Sequence, residues 1–98
     1  LLENSRDEEA LNYLRQALAH YQQLIARDPG QQSVELSGKI LTNLGISNTR
    51  LRRFGEANRY FNNAVSVLSH NFGMHHPQLA EVYIERGEWQ EAQQQWAA

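Results

Sequence analysis

Three histidines fall close together in this 98-residue chain, at His70, His75 and His76. Imidazole is the commonest metal ligand, so the group is the first candidate for chemistry. Zinc sites on helices place their ligands at i and i+4, with a carboxylate or a third histidine nearby. His75 and His76 are adjacent, project differently and precede Pro77, so they read as a polar turn. His20 falls between apolar positions of a helical stripe and reads as boundary filler. Glu81 and Glu85 stand four residues apart and stack on one helical face, an arrangement open to acid/base work. No cofactor or pocket signal accompanies them, and a solvated face is the simpler reading. Serine, histidine and acidic residues occur without a G-x-S-x-G elbow, a phosphate loop or an H-E-x-x-H pair. The residues point to no catalytic centre, no metal and no cofactor, and a non-enzymatic chain is expected.

Composition narrows the partners. A net charge of −2 and a pI near 6.1 leave no basic footprint for nucleic acid, since Arg50, Arg52 and Arg53 form a short cluster followed at once by Glu56. The apolar fraction of 41% suits a folded domain with a single modest core. No apolar run approaches the roughly 18 residues of a membrane span, so no membrane insertion is expected. With no cysteine there are no disulfides and no thiolate metal sites. The chain opens on Leu1-Leu2 and stops at Trp96-Ala97-Ala98 in what reads as mid-helix, so a fragment of a longer chain is expected.

The elements that must position these residues are helices. Breakers are sparse: Pro29-Gly30 after Asp28, Gly55 after Phe54, Gly73 before His75, and Gly87 before Trp89. Five helices are predicted, over 5–27, 32–53, 55–71, 77–86 and 88–97. In the first, Ser5 and Glu8 make a capping box, and Leu11, Leu14, Leu18, Tyr21 and Ile25 form one stripe. In the second, Ser33 caps and Leu36, Ile40, Leu44 and Leu51 are the apolar face. Gly38 and Gly45 each cost about 1 kcal/mol there, which is tolerable where a neighbouring helix comes very close. The third carries Ala57, Phe61, Ala64, Val65 and Leu68. Pro77 opens the fourth, and Trp89, Ala92 and Trp96 belong to the fifth. Nothing alternates with period two, so no sheet is expected.

The stretch 44–61 matches 79–96 at a constant offset of 35 residues. Leu44 meets Leu79, Gly45 Ala80, Phe54 Trp89, Glu56 Glu91, Ala57 Ala92 and Phe61 Trp96. Leu41, Leu44-Gly45, Ala57, Phe61 and Ala64, then Leu79-Ala80, Tyr83, Ala92 and Trp96, resemble the tetratricopeptide repeat signature. Glu9-Ala10, Leu14 and Ala17 repeat the spacing of Glu56-Ala57, Phe61 and Ala64, as a second-helix equivalent would. The 47 residues from Ala10 to Ala57 and the phrase His76-Pro77-x-x-Ala80 are similar to longer-helix members such as kinesin light chain. Asn48 and Ser69 depart from the pattern, standing where an aromatic and a proline are usual. The resemblance implies an all-α fold of antiparallel hairpins stacked as a right-handed solenoid of about five helices. Residues 5–37 would supply a leading helix and the start of the first unit, 38–71 a repeat unit and 72–98 an incomplete second unit.

It also implies a function, the binding of a protein or peptide partner as scaffold or regulatory module. The first helix of each unit would line the binding surface, placing Lys39, Thr42, Asn43, Ile46, Thr49 and Arg50 there, with Gln78, Glu81, Ile84 and Glu85 from the second unit. Chaperone-binding members hold a carboxylate with lysine and asparagine; Asn43 matches, but Glu81 and Glu85 stand where cations would be needed. The expectation is a peptide with a positive patch toward Glu81 and Glu85 and a negative one toward Lys39 and Arg50, anchored on Ile46 and Ile84. The alternative is self-association through a C-terminal edge formed by Trp89 and Trp96, making a homo-oligomer.

Overall fold

The computed structural model describes the backbone of residues 2–97 and the side chains of residues 6–95. Four α-helices account for nearly all of it: α1 (Leu2–Arg27), α2 (Val34–Arg50), α3 (Phe54–Phe72) and α4 (Pro77–Ala97), with a 3-10 turn at Pro29–Gln31. No strand occurs among the described residues. None of the helices is long and apolar enough to cross a membrane.

The stripe of α1 does what its spacing requires. Leu11 and Tyr21 are buried with Ile40 and Leu44 of α2, and Leu14, Leu18 and Ile25 pack around them. The helix already runs from Leu2, so Ser5 lies inside it instead of capping it. Glu8, the other half of the expected capping box, accepts a hydrogen bond from Arg53 at 2.8 Å. The α1–α2 turn is tied twice. Asp28 accepts from the Gly30 N–H, and the Tyr21 hydroxyl accepts from the Ser33 N–H (2.7 Å) while donating to the Ser33 carbonyl (2.9 Å). Ser33 then caps α2 through the Leu36 N–H. Leu36, expected on the apolar face, is instead exposed and turned to the side of α2 that faces the start of α4.

Gly38 and Gly45 lie where α2 and α3 cross. A Cβ on Gly38 would sit 2.7 Å from Leu68, and one on Gly45 would sit 2.6 Å from the Phe61 ring. Their absence lets Ala57, Phe61, Ala64 and Leu68 bury completely. The α2–α3 link closes with the Arg53 N–H on the Asn48 carbonyl and the Arg52 N–H on the Thr49 carbonyl. This Schellman pattern sets Arg52 at φ 62°, a position that glycine usually fills.

The main departure from expectation is at the C-terminal end. The helices number four, not five, because Gly87 does not break α4. A lone glycine costs only about 1 kcal/mol in a helix, and packing on both sides of it outweighs that. Val82 is wholly buried on one side of Gly87, and Trp89, buried on the other, donates its indole N–H to the Phe54 carbonyl at 3.0 Å. The segment 79–96 therefore runs straight where its counterpart 44–61 turns, and no second hairpin forms. Its small residues do not mark a crossing: Ala80 is exposed and Ala92 half-buried, whereas Gly45 and Ala57 are buried. Ala10 and Ala17 of α1, the counterparts of Ala57 and Ala64, are exposed as well.

Candidate functional site

Helix α2 touches each of the other helices, and α4 lies beside it in the same direction. The N-terminal turns of the two are joined by the Gln78 side chain, which donates to the Glu35 carbonyl at 2.9 Å. His76 prepares that start. Its Nδ1 accepts the Gln78 N–H at 3.1 Å and its ring stacks on Phe72, with centroids 4.3 Å apart. The histidine triplet is thus used in part as a helix cap, and no group of three histidine, aspartate or glutamate residues is placed to hold a metal among the described residues.

Between α2 and α4 runs an open cleft with two hollows. The larger, of about 520 Å³, is lined by Glu35, Leu36 and Lys39 of α2 with His76, Gln78 and Glu81. The smaller, of about 170 Å³, has Ile46 and Phe61 in its lining with Thr49, Arg50, Glu85 and Glu88 at its walls. Lys39, Asn43, Ile46 and Arg50 recur at steps of four, three and four, so one stripe of α2 carries them. Glu81, Glu85 and Glu88 do the same on α4. The structure thus brings Lys39, Ile46, Arg50, Glu81 and Glu85 to one cleft. Asn43 is exposed on the same stripe, while Ile84 is 65% exposed and lines neither hollow. Thr42 leaves the expected set: it is buried, and its hydroxyl donates to the Gly38 carbonyl at 2.7 Å.

The charges are not divided between the two ends of the cleft. Each end carries a cation from α2 and a carboxylate from α4, so the division runs from wall to wall. No ion pair joins the two walls among the described residues; Arg50 lies 3.9 Å from Asp7 of α1 instead. The carboxyl of Glu85 is held above its ordinary range by burial first, then by repulsion from Glu88 and Glu81, with Arg50 pulling the other way. Glu88 escapes a reading of residues 81–85 alone, although the i+7 spacing from Glu81 was available to find it.

A further hollow of about 570 Å³ lies across the molecule between α1 and α3, with Leu18, Tyr21 and Leu41 inside and Gln22, Asn63 and Asn71 at its rim. At the C-terminal end, Trp89 is 8% exposed and packed on α3, so it offers no edge for self-association. The side chain of Trp96, the other half of that expected edge, lies outside the described residues.

What fold and cleft define together is an all-α chain with a charged, partly apolar groove between two parallel helices. Neither a family model, nor a curated protein, nor a solved structure matches the chain.

Proposed function

We propose that the chain is a non-catalytic module that binds a protein or peptide segment along the α2/α4 cleft, on the plan of a tetratricopeptide array. The single observation that carries the reading is the cleft: the half-buried Ile46 supplies apolar surface between walls of opposite charge, and no ion pair joins those walls among the described residues. Groups of that kind give register and orientation to a ligand, while the apolar surface gives affinity. Helix order supports the repeat plan. In such an array α1 is the second helix of one unit, α2 and α3 are a full unit, and α4 is the first helix of the next. The uninterrupted α4 departs from it, leaving the last unit one long helix.

The test is a peptide-library screen with binders mapped by amide chemical shifts. Binders are expected to move resonances of 39–50 and 81–88. Charge reversal by Lys39→Glu is expected to weaken binding while leaving the thermal midpoint nearly unchanged, since Lys39 is exposed, whereas Arg50→Glu, set beside Asp7 and Glu85, is expected to weaken binding and lower the midpoint as well. Binders that map to the α1/α3 hollow, or none at all, would reject the assignment.

A further inference from the structure

We infer that the chain associates with further copies of itself head to tail, the outer face of α1 in one copy packing on the outer face of α4 in another. This goes beyond the cleft and does not depend on it.

The first observation is an internal match whose two halves are differently covered. Glu9-Ala10, Tyr13, Leu14 and Ala17 repeat Glu56-Ala57, Tyr60, Phe61 and Ala64 at a constant offset of 47 residues. On α3 that face is closed, since Ala57, Phe61 and Ala64 are wholly buried where α2 crosses. On α1 it is open. Ala10 and Ala17 are exposed and Tyr13 is 74% exposed, because α2 is the one helix on which α1 packs among the described residues.

Helix α4 is the reverse case. Leu79-Ala80 stands 35 residues after Leu44-Gly45, the step at which α2 receives Phe61. Leu79 is buried against the core, but Ala80 and Tyr83 are exposed on a side that neither α2 nor α3 covers. A face fitted to the role of α2 thus lacks an α3, and a face fitted to the role of α3 lacks an α2. They stand on helices that do not touch each other among the described residues. One copy cannot join them, and a second copy can.

The second observation is fit. Gly38 lies against Leu68 and Gly45 against Phe61, so residue numbers rise by seven along α2 as they fall by seven along α3. Carried over by the two offsets, this antiparallel register sets Ala80 of one copy against Leu14 of the next. The Phe61 ring leaves no room for a Cβ on Gly45. At the new contact Ala80 adds that methyl, and leucine, smaller than phenylalanine, leaves space for it. Exchanges that conserve volume keep a crossing packed.

The third observation is charge. Six residues on along α4 and five back along α1, the same register brings Arg86 to Glu9. Glu9 stands one turn before Tyr13 and lines a shallow hollow with it. Arg86 is half-buried, with its Nε lacking a hydrogen-bond partner among the described residues. Neither Arg86 nor Glu9 makes an ion pair within its own copy among those residues. Opposite charges that meet only between copies fix the register. Because the two faces differ, each copy uses both, and a heterologous contact of this kind does not stop at two copies.

Sedimentation equilibrium of the full chain tests this. The parent is expected to rise past two copies as concentration increases. Ala17→Arg blocks the α1 face and Ala80→Glu the α4 face; both positions are exposed, and circular dichroism checks that helicity is kept. Each variant alone is expected to stay monomeric. Mixed in equal amounts, they are expected to form a complex of two copies and no larger, since each still offers the face that the other lacks. Glu9→Arg is expected to weaken the parent's association about fivefold, the scale of a surface ion pair. A parent that is monomeric at every concentration overturns the inference, as when residues beyond Gly87 fold back to cover Ala80 themselves. A parent that stops at two copies, or variants that do not complement each other, overturns the head-to-tail contact in favour of a symmetric one. An association constant unmoved by Glu9→Arg overturns the register.

Discussion

Asn48 is wholly buried, and only half of its amide is satisfied. Its Nδ2 donates to the Leu44 carbonyl at 2.8 Å, while Oδ1 is buried without a hydrogen-bond partner among the described residues. Burying a polar atom unpaired is costly, whereas an apolar group of like shape gives that cost back. Asn48→Leu is therefore expected to raise unfolding free energy by about 1 kcal/mol, read from urea denaturation. A loss instead would mean that Oδ1 is needed where it is. Glu85 carries the opposite kind of lesson. Its carboxyl is raised by burial, by Glu88 and by Glu81, so the folded chain keeps that proton to higher pH than the unfolded chain does. The contribution to stability is fully present below the ordinary carboxylate range and is lost as pH rises through the raised value. Glu85→Gln should be at least as stable as the parent chain at about pH 7, with the difference closing toward about pH 4. Urea midpoints for both proteins at the two pH values check this; a difference that widens on acidification would contradict the assigned cause. Asn48 was visible in the sequence as a departure from the repeat pattern. That Glu85 is raised first by burial was not, because burial depends on how deeply α4 seats against α2.

At the level of elements, the two halves of the 35-residue offset behaved differently for a physical reason. Glycines 38 and 45 were legible as a close approach because they sit inside an otherwise strong helix pattern, and Leu68 and Phe61 occupy the space they leave. Adding a methyl by Gly45→Ala gains helix propensity but pushes the Phe61 ring, and overpacking of this kind costs about 1–3 kcal/mol. A net loss in thermal stability is expected. Gly87 does not end α4, because a glycine marks a break only when nothing else holds the helix, and Val82 and Trp89 pack on both sides of it. Among the described residues no side-chain or distant backbone atom comes within 4 Å of where its Cβ would be, and its φ is not positive. Gly87→Ala should thus stabilise the chain by about 0.5–1 kcal/mol. If α4 instead turned at Gly87, as a repeat hairpin does, alanine would be neutral or harmful. The same variant therefore asks whether the continuous helix or the hairpin is the working form.

Across the whole molecule the core is in two parts. One gathers Leu41, Phe61, Leu68, Leu79 and Trp89 among α2, α3 and α4; the other joins Leu11 and Tyr21 of α1 to Ile40 and Leu44. Leu18 and Tyr60 pack against both parts. Helix α1 consequently rests on α2 and on the turn before it, with the open α1/α3 hollow alongside. A helix held along one side opens at lower free energy than one enclosed by neighbours, so α1 is expected to come away while the other three remain packed. Native-state hydrogen exchange should find the amides of residues 11–25 protected less than those of residues 57–68. Tyr21 is the clamp. Tyr21→Phe keeps the buried ring but removes both bonds to Ser33, exposing a part-buried N–H and carbonyl at a cost of about 1–3 kcal/mol. Because that loss falls on the α1–α2 turn, exchange should accelerate along α1 and change far less along α3. The α2/α4 cleft meets α1 at Arg50, which lies 3.9 Å from Asp7, so that end of the cleft is where loosening of α1 should be felt. Equal acceleration in all four helices would show that the two parts of the core open together, and that α1 cannot move without disturbing the cleft.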